Sequence, residues 1–248
     1  MKPIFFAAFF VFSLSACAFS AEQIDFRVNH TTRQGTDAKS VSDGKTVFID
    51  GRVYDHLTAP QEVVIYEPLE SRFTLLNLRT KEKVVLTTEQ IDTYFEEFRQ
   101  RATRHENPDI RSFADPQFQV SYREAENRYS FTSRLISYEI TPQKPEKPAI
   151  LQQYRQFAKA YCKLNLMLSP GAKTVFARMA VNDTIFNTGS LIARSQVTIR
   201  SPQGASTTVT SDYQFLPRLV ESDRTWAQQV DGYVPTFTET TLTKYLEK

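Results

Sequence analysis

TVFIDGRVYDHL, residues 46–57, decides how this chain folds. Two runs rich in β-branched and aromatic residues flank Asp50-Gly51, and Asp-Gly between such runs is the strongest short-range hairpin signal because both turn positions accept positive φ. Working outward, EVVIYE (62–67) follows. A turn centred on Pro68 leads to RFTLLNL (72–78), and a polar turn from Arg79 to Glu82 leads to KVVLT (83–87). The spacing predicts an antiparallel meander. In RFTLLNL, Phe73 and Leu75 fall on one face, and Leu76 and Leu78 on the other. A strand apolar on both faces is covered on both, or lines a cavity.

The period then switches. In TTEQIDTYFEEFRQRATR, Ile91, Phe95, Phe98 and Ala102 recur at helical spacing, which predicts a helix over 89–104. Thr87 with Gln90 three residues on reads as a capping box. Glu96 and Glu97 are adjacent on that helix and point in different directions, so they read as a solvated face and not as a catalytic pair.

The polar stretch HENPDIRSFADP reads as a loop, and FQVSYR, RYSFTS and LISYEI as a second set of strands. TPQKPEKP, residues 141–148, is the clearest Pro/charged loop in the chain. Pro148 then opens the helix AILQQYRQFAKAYCKLNLML (149–168), stopped by Ser169-Pro170-Gly171. Ile150, Tyr154, Phe157, Tyr161, Leu164 and Leu168 form its apolar stripe, expected to lie across the inner face of the sheet. KTVFARMAVNDTIF reads as a weaker helix. ARSQVTIRS and TTVTSDYQFLPRL read as a closing strand pair around Pro202-Gln203-Gly204. ESDRTWAQQVDGYV reads as a short helix with Ser222 as its N-cap. The expected architecture is a single α+β domain over 23–248. Its curved, mostly antiparallel sheet has about ten strands, as in an incomplete barrel, packed on three or four helices.

The chain's start indicates its address. Lys2 precedes an uncharged apolar run through Leu14 that is shorter than the ~20 residues of a membrane span. It fits a secretory signal peptide over 1–16. Leu14-Ser15-Ala16-Cys17 resembles a lipobox, in which the Cys17 thiol forms a thioether to lipid before cleavage, leaving 17–22 as a tether. The competing reading is an ordinary cut near Ser20 or Ala21, which Phe19 disfavours because a small side chain is wanted there. The two readings place the protein as a membrane-anchored lipoprotein facing the periplasm or cell exterior, or as a soluble periplasmic protein. With Cys17 lipidated or removed, Cys162 has no intramolecular partner, and it reads as a buried structural thiol.

The formal charge of +2 comes with no block of like charge, so nucleic-acid binding is not expected. His30, His56 and His105 are scattered, with no metal-ligand spacing, no nucleophile elbow and no Gly-rich phosphate loop. His105, Glu106 and Asp109 read as a solvated loop, and His56 as a hydrogen-bonded structural imidazole. No catalytic residue, metal ligand or cofactor is expected.

GRVYDHL, FTLLNL, FADPQF, LNLMLSPG and FARMAVN resemble a group of uncharacterised exported bacterial proteins, a likeness that covers most of the chain and implies no activity. SDGKTVFIDGRVYDHL and the strands through Leu86 are similar, more weakly, to the LolA/LolB/RseB-type lipoprotein-carrier half-barrels. That resemblance implies a curved antiparallel sheet wrapped around helices, with a cavity for acyl chains between them. This chain departs from the carriers: Ile24 to Val28 alternates like a strand where they place a helix, and helices 89–104 and 149–168 have no clear counterpart.

The expected function is therefore that of a non-enzymatic cell-envelope lipoprotein, tethered to the membrane through Cys17. It would hold a lipid, acyl chain or other apolar ligand between the sheet and helix 149–168, with Phe73, Leu75, Tyr154, Phe157 and Tyr161 as cavity residues. The alternatives are an envelope scaffold with a filled core, binding a partner protein, and an extracytoplasmic hydrolase.

Overall fold

The computed structural model describes residues 23–35, 40–58, 61–201 and 204–247. The expected signal peptide over 1–16, the expected lipidation site Cys17 and the expected tether over 17–22 lie outside the described residues. In chain order come β1 (Phe26–Gln34), β2 (Ser40–Ile49), β3 (Arg52–Leu57), β4 (Glu62–Glu67), β5 (Arg72–Asn77) and β6 (Glu82–Thr87). Helices α1 (Thr88–Thr103) and α2 (Pro108–Ala114) precede β7 (Gln119–Arg123), β8 (Arg128–Thr132) and β9 (Ile136–Gln143). Then follow α3 (Pro148–Leu168), α4 (Val175–Asn187), β10 (Leu191–Arg200), β11 (Ser206–Leu216), α5 (Glu221–Tyr233), β12 (Thr238–Glu239) and α6 (Leu242–Leu246).

All of these strands join one curved, open, twelve-stranded sheet in the order β12-β6-β5-β4-β3-β2-β1-β11-β10-β9-β8-β7. Every pairing is antiparallel except the two-residue contact of β12 with β6. The architecture is α+β, and the sheet does not close into a barrel.

The local signals act as elementary chemistry dictates. Asp50 (φ 49°) and Gly51 (φ 77°) both adopt positive φ in the β2–β3 turn, as a two-residue hairpin loop requires. Thr87 Oγ1 accepts the Gln90 N–H at 3.1 Å while the Gln90 side chain accepts the Thr87 N–H at 2.9 Å, closing the capping box of α1. Pro148 occupies the first turn of α3. Glu96 and Glu97 are exposed and pair with Arg99 and Arg101 on the same helix.

Both faces of the sheet are covered. On one, the fully buried Phe26, Phe48, Phe73 and Leu75 meet Ile150, Tyr154, Phe157 and Leu164 of α3. Further along the same face, Ala177, Val181 and Ile185 of α4 meet Phe131, Ile136, Tyr138 and Ile140. Helix α1 joins this layer through Ile91, and Phe95 packs with Leu166 and Val175. The opposite face carries Val47, Ile49, Tyr54, Val63, Ile65 and Leu76 against Ala227 and Val230 of α5, with Phe237 beside them. Leu76 thus points away from Phe73 and Leu75, and RFTLLNL is apolar on both sides because two helical layers sandwich it.

Helix α5 is fixed electrostatically as well. Asp223, only 1% exposed, receives Arg27 at 2.9 Å and Lys45 at 3.3 Å from adjacent strands. It also accepts the Val220 N–H at 3.3 Å. Val220, and not Ser222, is therefore the N-cap, because the carboxylate at the third helical position closes the turn without a capping hydroxyl.

Three further expectations are corrected. HENPDIRSFADP is not all loop: it contains α2, with Pro108 in its first turn and Asn107 capping it by accepting the Asp109 N–H at 2.8 Å. The loop expected over 141–148 begins later, because Thr141, Pro142 and Gln143 continue β9. Pro142 is tolerated there because β10 is irregular between Ile192 and Arg194, where a missing donor is least felt. The sheet is also larger, and the helices more numerous, than expected, since α2, α6 and the short β12 carry too little periodicity to be recognised.

Candidate functional site

The row of side chains that β1, β2, β3, β10 and β11 present to α3 and α4 is not uniformly apolar. Thr46 and Asp55 face each other across the β2–β3 ladder, and Ser195 and Ser211 across β10–β11. His30 pairs with Gly44 on one side and Tyr213 on the other. These groups line a cavity of about 320 Å³, roofed by Tyr154, Phe157, Tyr161 and Cys162 of α3 and by Arg178 and Asn182 of α4. Thr174, Arg178 and Asn182 recur every four residues, which places them on one side of α4. The adjoining cavity, about 680 Å³, shares Leu57, Tyr161 and Asn165 with the first and continues to Glu62, Asn77, Leu168 and Tyr245. Both fall near or within the usual volume range of small-molecule pockets.

Two ionisable groups define the inner cavity, Asp55 buried and Arg178 partly buried. Asp55 is 2% exposed and fully engaged: Thr46 Oγ1 donates to Oδ1 at 2.6 Å, and Tyr161 Oη to Oδ2 at 2.7 Å. Arg178 reaches from α4 to the sheet, where Nη1 donates to Ser195 Oγ at 2.9 Å and Nη2 to Tyr213 Oη at 3.2 Å. Its guanidinium lies 5.5 Å from the centre of the Tyr213 ring. Burial disfavours the Arg178 charge, but the electrostatic influence of Tyr213, Tyr138 and Tyr154 outweighs it, and the guanidinium titrates above its usual range.

Desolvation also suppresses ionisation of Cys162, Tyr154 and Tyr161. The Cys162 thiol is pushed up to about 11, and the Tyr154 and Tyr161 hydroxyls are pushed upward by desolvation first. A thiol of that kind is a poor nucleophile at neutral pH. Its contact with Asn182 Nδ2 is a loose 4.0 Å, and Asn182 Oδ1 has no partner. The described lining therefore offers hydroxyls, the Asp55 carboxylate, the His30 ring, the Arg178 guanidinium and a thiol pushed out of its nucleophilic range.

Of the residues expected to form the cavity, Tyr154, Phe157 and Tyr161 line it. Phe73 and Leu75 do not come to it; both are fully buried in the close-packed region between β5 and α3. His56 faces the opposite side of the sheet, with its ring 5.5 Å from that of Trp226. Burial first, and Lys45 second, hold its pKa below the ordinary value. Its structural role thus rests on ring packing. His105 Nδ1 accepts the Asn107 N–H at 3.0 Å, and Arg111 donates to the carbonyls of His105 and Glu106, so that loop is an ordered helix entry.

Arg178, Asn182 and Asp55 were missed by reasoning from the sequence, although each left a trace. Arg178 and Asn182 are polar positions four apart in VFARMAVNDTIF, on the side of the helix away from Asp183. Asp55 occupies a position of RVYDHL whose neighbour at i−2, Val53, is buried.

Among the described residues no cluster of His, Cys, Asp and Glu could hold a metal ion, and no helix is long and apolar enough to cross a membrane. No family model and no curated protein matches the chain.

Proposed function

We propose that this protein is a non-enzymatic binding protein of the cell envelope that holds a small ligand with an apolar body between its sheet and α3. The observation that carries this reading is the pair of adjoining cavities, about 320 and 680 Å³, that meet at Leu57, Tyr161 and Asn165 under that helix. Their walls divide about evenly between aromatic or aliphatic side chains and polar ones, which suits a ligand with an apolar body and a polar head. The aromatic stripe of α3 serves both purposes: Tyr154 and Phe157 pack on Phe48 and also face the cavity.

The membrane part of the proposal rests on Cys17. A lipid-modified Cys17 would keep the domain at a bilayer, because several acyl chains anchor stably where one does not. Palmitate labelling of the wild type and of Cys17→Ala, with and without globomycin, tests it: label should enter only the wild type, and an unlabelled wild type overturns the anchor.

Native mass spectrometry after gentle extraction tests the binding reading. A copurified lipid or acyl species is the expected result, and an apo mass that takes up no added amphiphile would refute it. The scaffold alternative draws on the close-packed part of the core around Phe73 and Leu75, and the same refuting outcome would favour it.

A further inference from the structure

Arg178 is the feature of the inner cavity that packing does not explain. A guanidinium has five N–H donors, and here its hydrogen-bond partners among the described residues are two hydroxyl oxygens, Ser195 Oγ and Tyr213 Oη. Among the described residues no carboxylate lies within ion-pairing distance of it. The acidic group in the cavity lining, Asp55, already accepts one donor on each oxygen from Thr46 and Tyr161. Bridging α4 to β10 and β11 requires only a neutral donor. Arg178 is partly buried and faces the cavity, so its remaining N–H groups are open to whatever occupies that space, and a charge held this far from bulk water is completed best by something negative.

Asn182 adds an independent sign. It is 5% exposed, lies on the same side of α4 four residues on, and its Oδ1 has no partner. The amide oxygen and nitrogen exchange places by a half-turn, so this side chain is a second polar group beside Arg178 with no strong bond.

We infer that Arg178 and Asn182 form the recognition point for the carboxylate of a single-chain amphiphile, whose apolar body runs past Tyr154, Phe157 and Leu57 toward the outer cavity. The inference rests on reading the cavity as a ligand site. The planar guanidinium edge matches the two oxygens of a carboxylate. Among the described residues that line the inner cavity, Arg178 is the one Lys or Arg side chain, and with the Asp55 carboxylate in the same space a monoanion adds less repulsion than a phosphate dianion.

Calorimetric titration of the purified full chain with decanoate, 1-decanol and decyl phosphate at pH 8 tests the inference. Decanoate should bind at least about tenfold more tightly than decanol, in keeping with a hydrogen bond to a charged group. Arg178→Met should abolish that preference while keeping decanol binding, and Arg178→Lys should retain part of it. Equal binding of decanoate and decanol by the wild type overturns the inference and leaves the binding proposal standing, an outcome that does not depend on any variant folding. Tighter binding of decyl phosphate than of decanoate overturns the assignment to a carboxylate. If neither decanoate nor decanol binds, the reading of the cavity as a ligand site fails with it.

Discussion

Tyr161 Oη donates to Asp55 Oδ2 at 2.7 Å, tying the middle of α3 to the third strand of the sheet across 106 positions of sequence. Asp55 is almost wholly buried, so both of its oxygens depend on protein donors. Tyr161→Phe removes one and should lower unfolding free energy by about 1.5–3 kcal/mol, the usual range for a hydrogen bond to a charged group. Urea denaturation measures it, and a loss below about 0.5 kcal/mol would mean water replaces the phenol.

Alkaline pH should weaken the fold through Cys162. Burial raises its thiol from an ordinary 9 to about 11, so between these values the unfolded chain has released a proton that the folded chain still holds. Stability is therefore complete below pH 9 and falls as pH rises toward 11. Cys162→Ala should flatten that slope in denaturation curves collected across the window. Iodoacetamide should also alkylate the native thiol far more slowly than the urea-unfolded one at pH 8.

Asp223→Asn should loosen α5. The carboxylate holds Arg27 and Lys45 together at a site that is 1% exposed, and losing it leaves two partly buried cations facing each other. A loss of about 3 kcal/mol is expected, from breaking a buried ion pair. Hydrogen exchange should rise in residues 221–233 before it rises in α3. Uniform exchange across both helices would show that α5 is held by its apolar contacts alone.

Gly44→Ala should disturb the cavity wall from the strand side. A Cβ at Gly44 would lie 2.6 Å from the His56 carbonyl oxygen and collide with the imidazole of His30, which crosses over from β1. The β2–β3 ladder or the His30 ring must shift, with a loss of about 1–3 kcal/mol. A melting temperature unchanged within about 1 °C, equivalent to a loss under about 0.5 kcal/mol, would show that the His30 ring turns away and that the β2–β3 backbone also relaxes at little cost.

Much of this fold is settled between neighbouring residues. Asp50-Gly51 sets the hairpin because both residues tolerate positive φ. Thr87 and Gln90 start α1 by exchanging hydrogen bonds over one turn. The stripe from Ile150 to Leu168 makes α3 amphipathic whatever it packs against. The β-branched and aromatic runs of β3, β4 and β5, apolar on both faces, are likewise local, and they yield an antiparallel sheet covered by helices.

Tertiary structure alone decided which apolar positions pack solidly and which border a cavity. Phe73 and Tyr154 are equally greasy in the sequence, yet the first is sealed between β5 and α3 while the second roofs open space. Nothing local separates them, because a cavity is a mismatch between surfaces contributed by distant segments. The same holds for Arg178, Ser195 and Tyr213: a guanidinium surrounded by hydroxyls exists only once α4 lies across β10 and β11. Periodicity reports which side of an element faces inward, but the charge balance of an interior depends on every element that meets there.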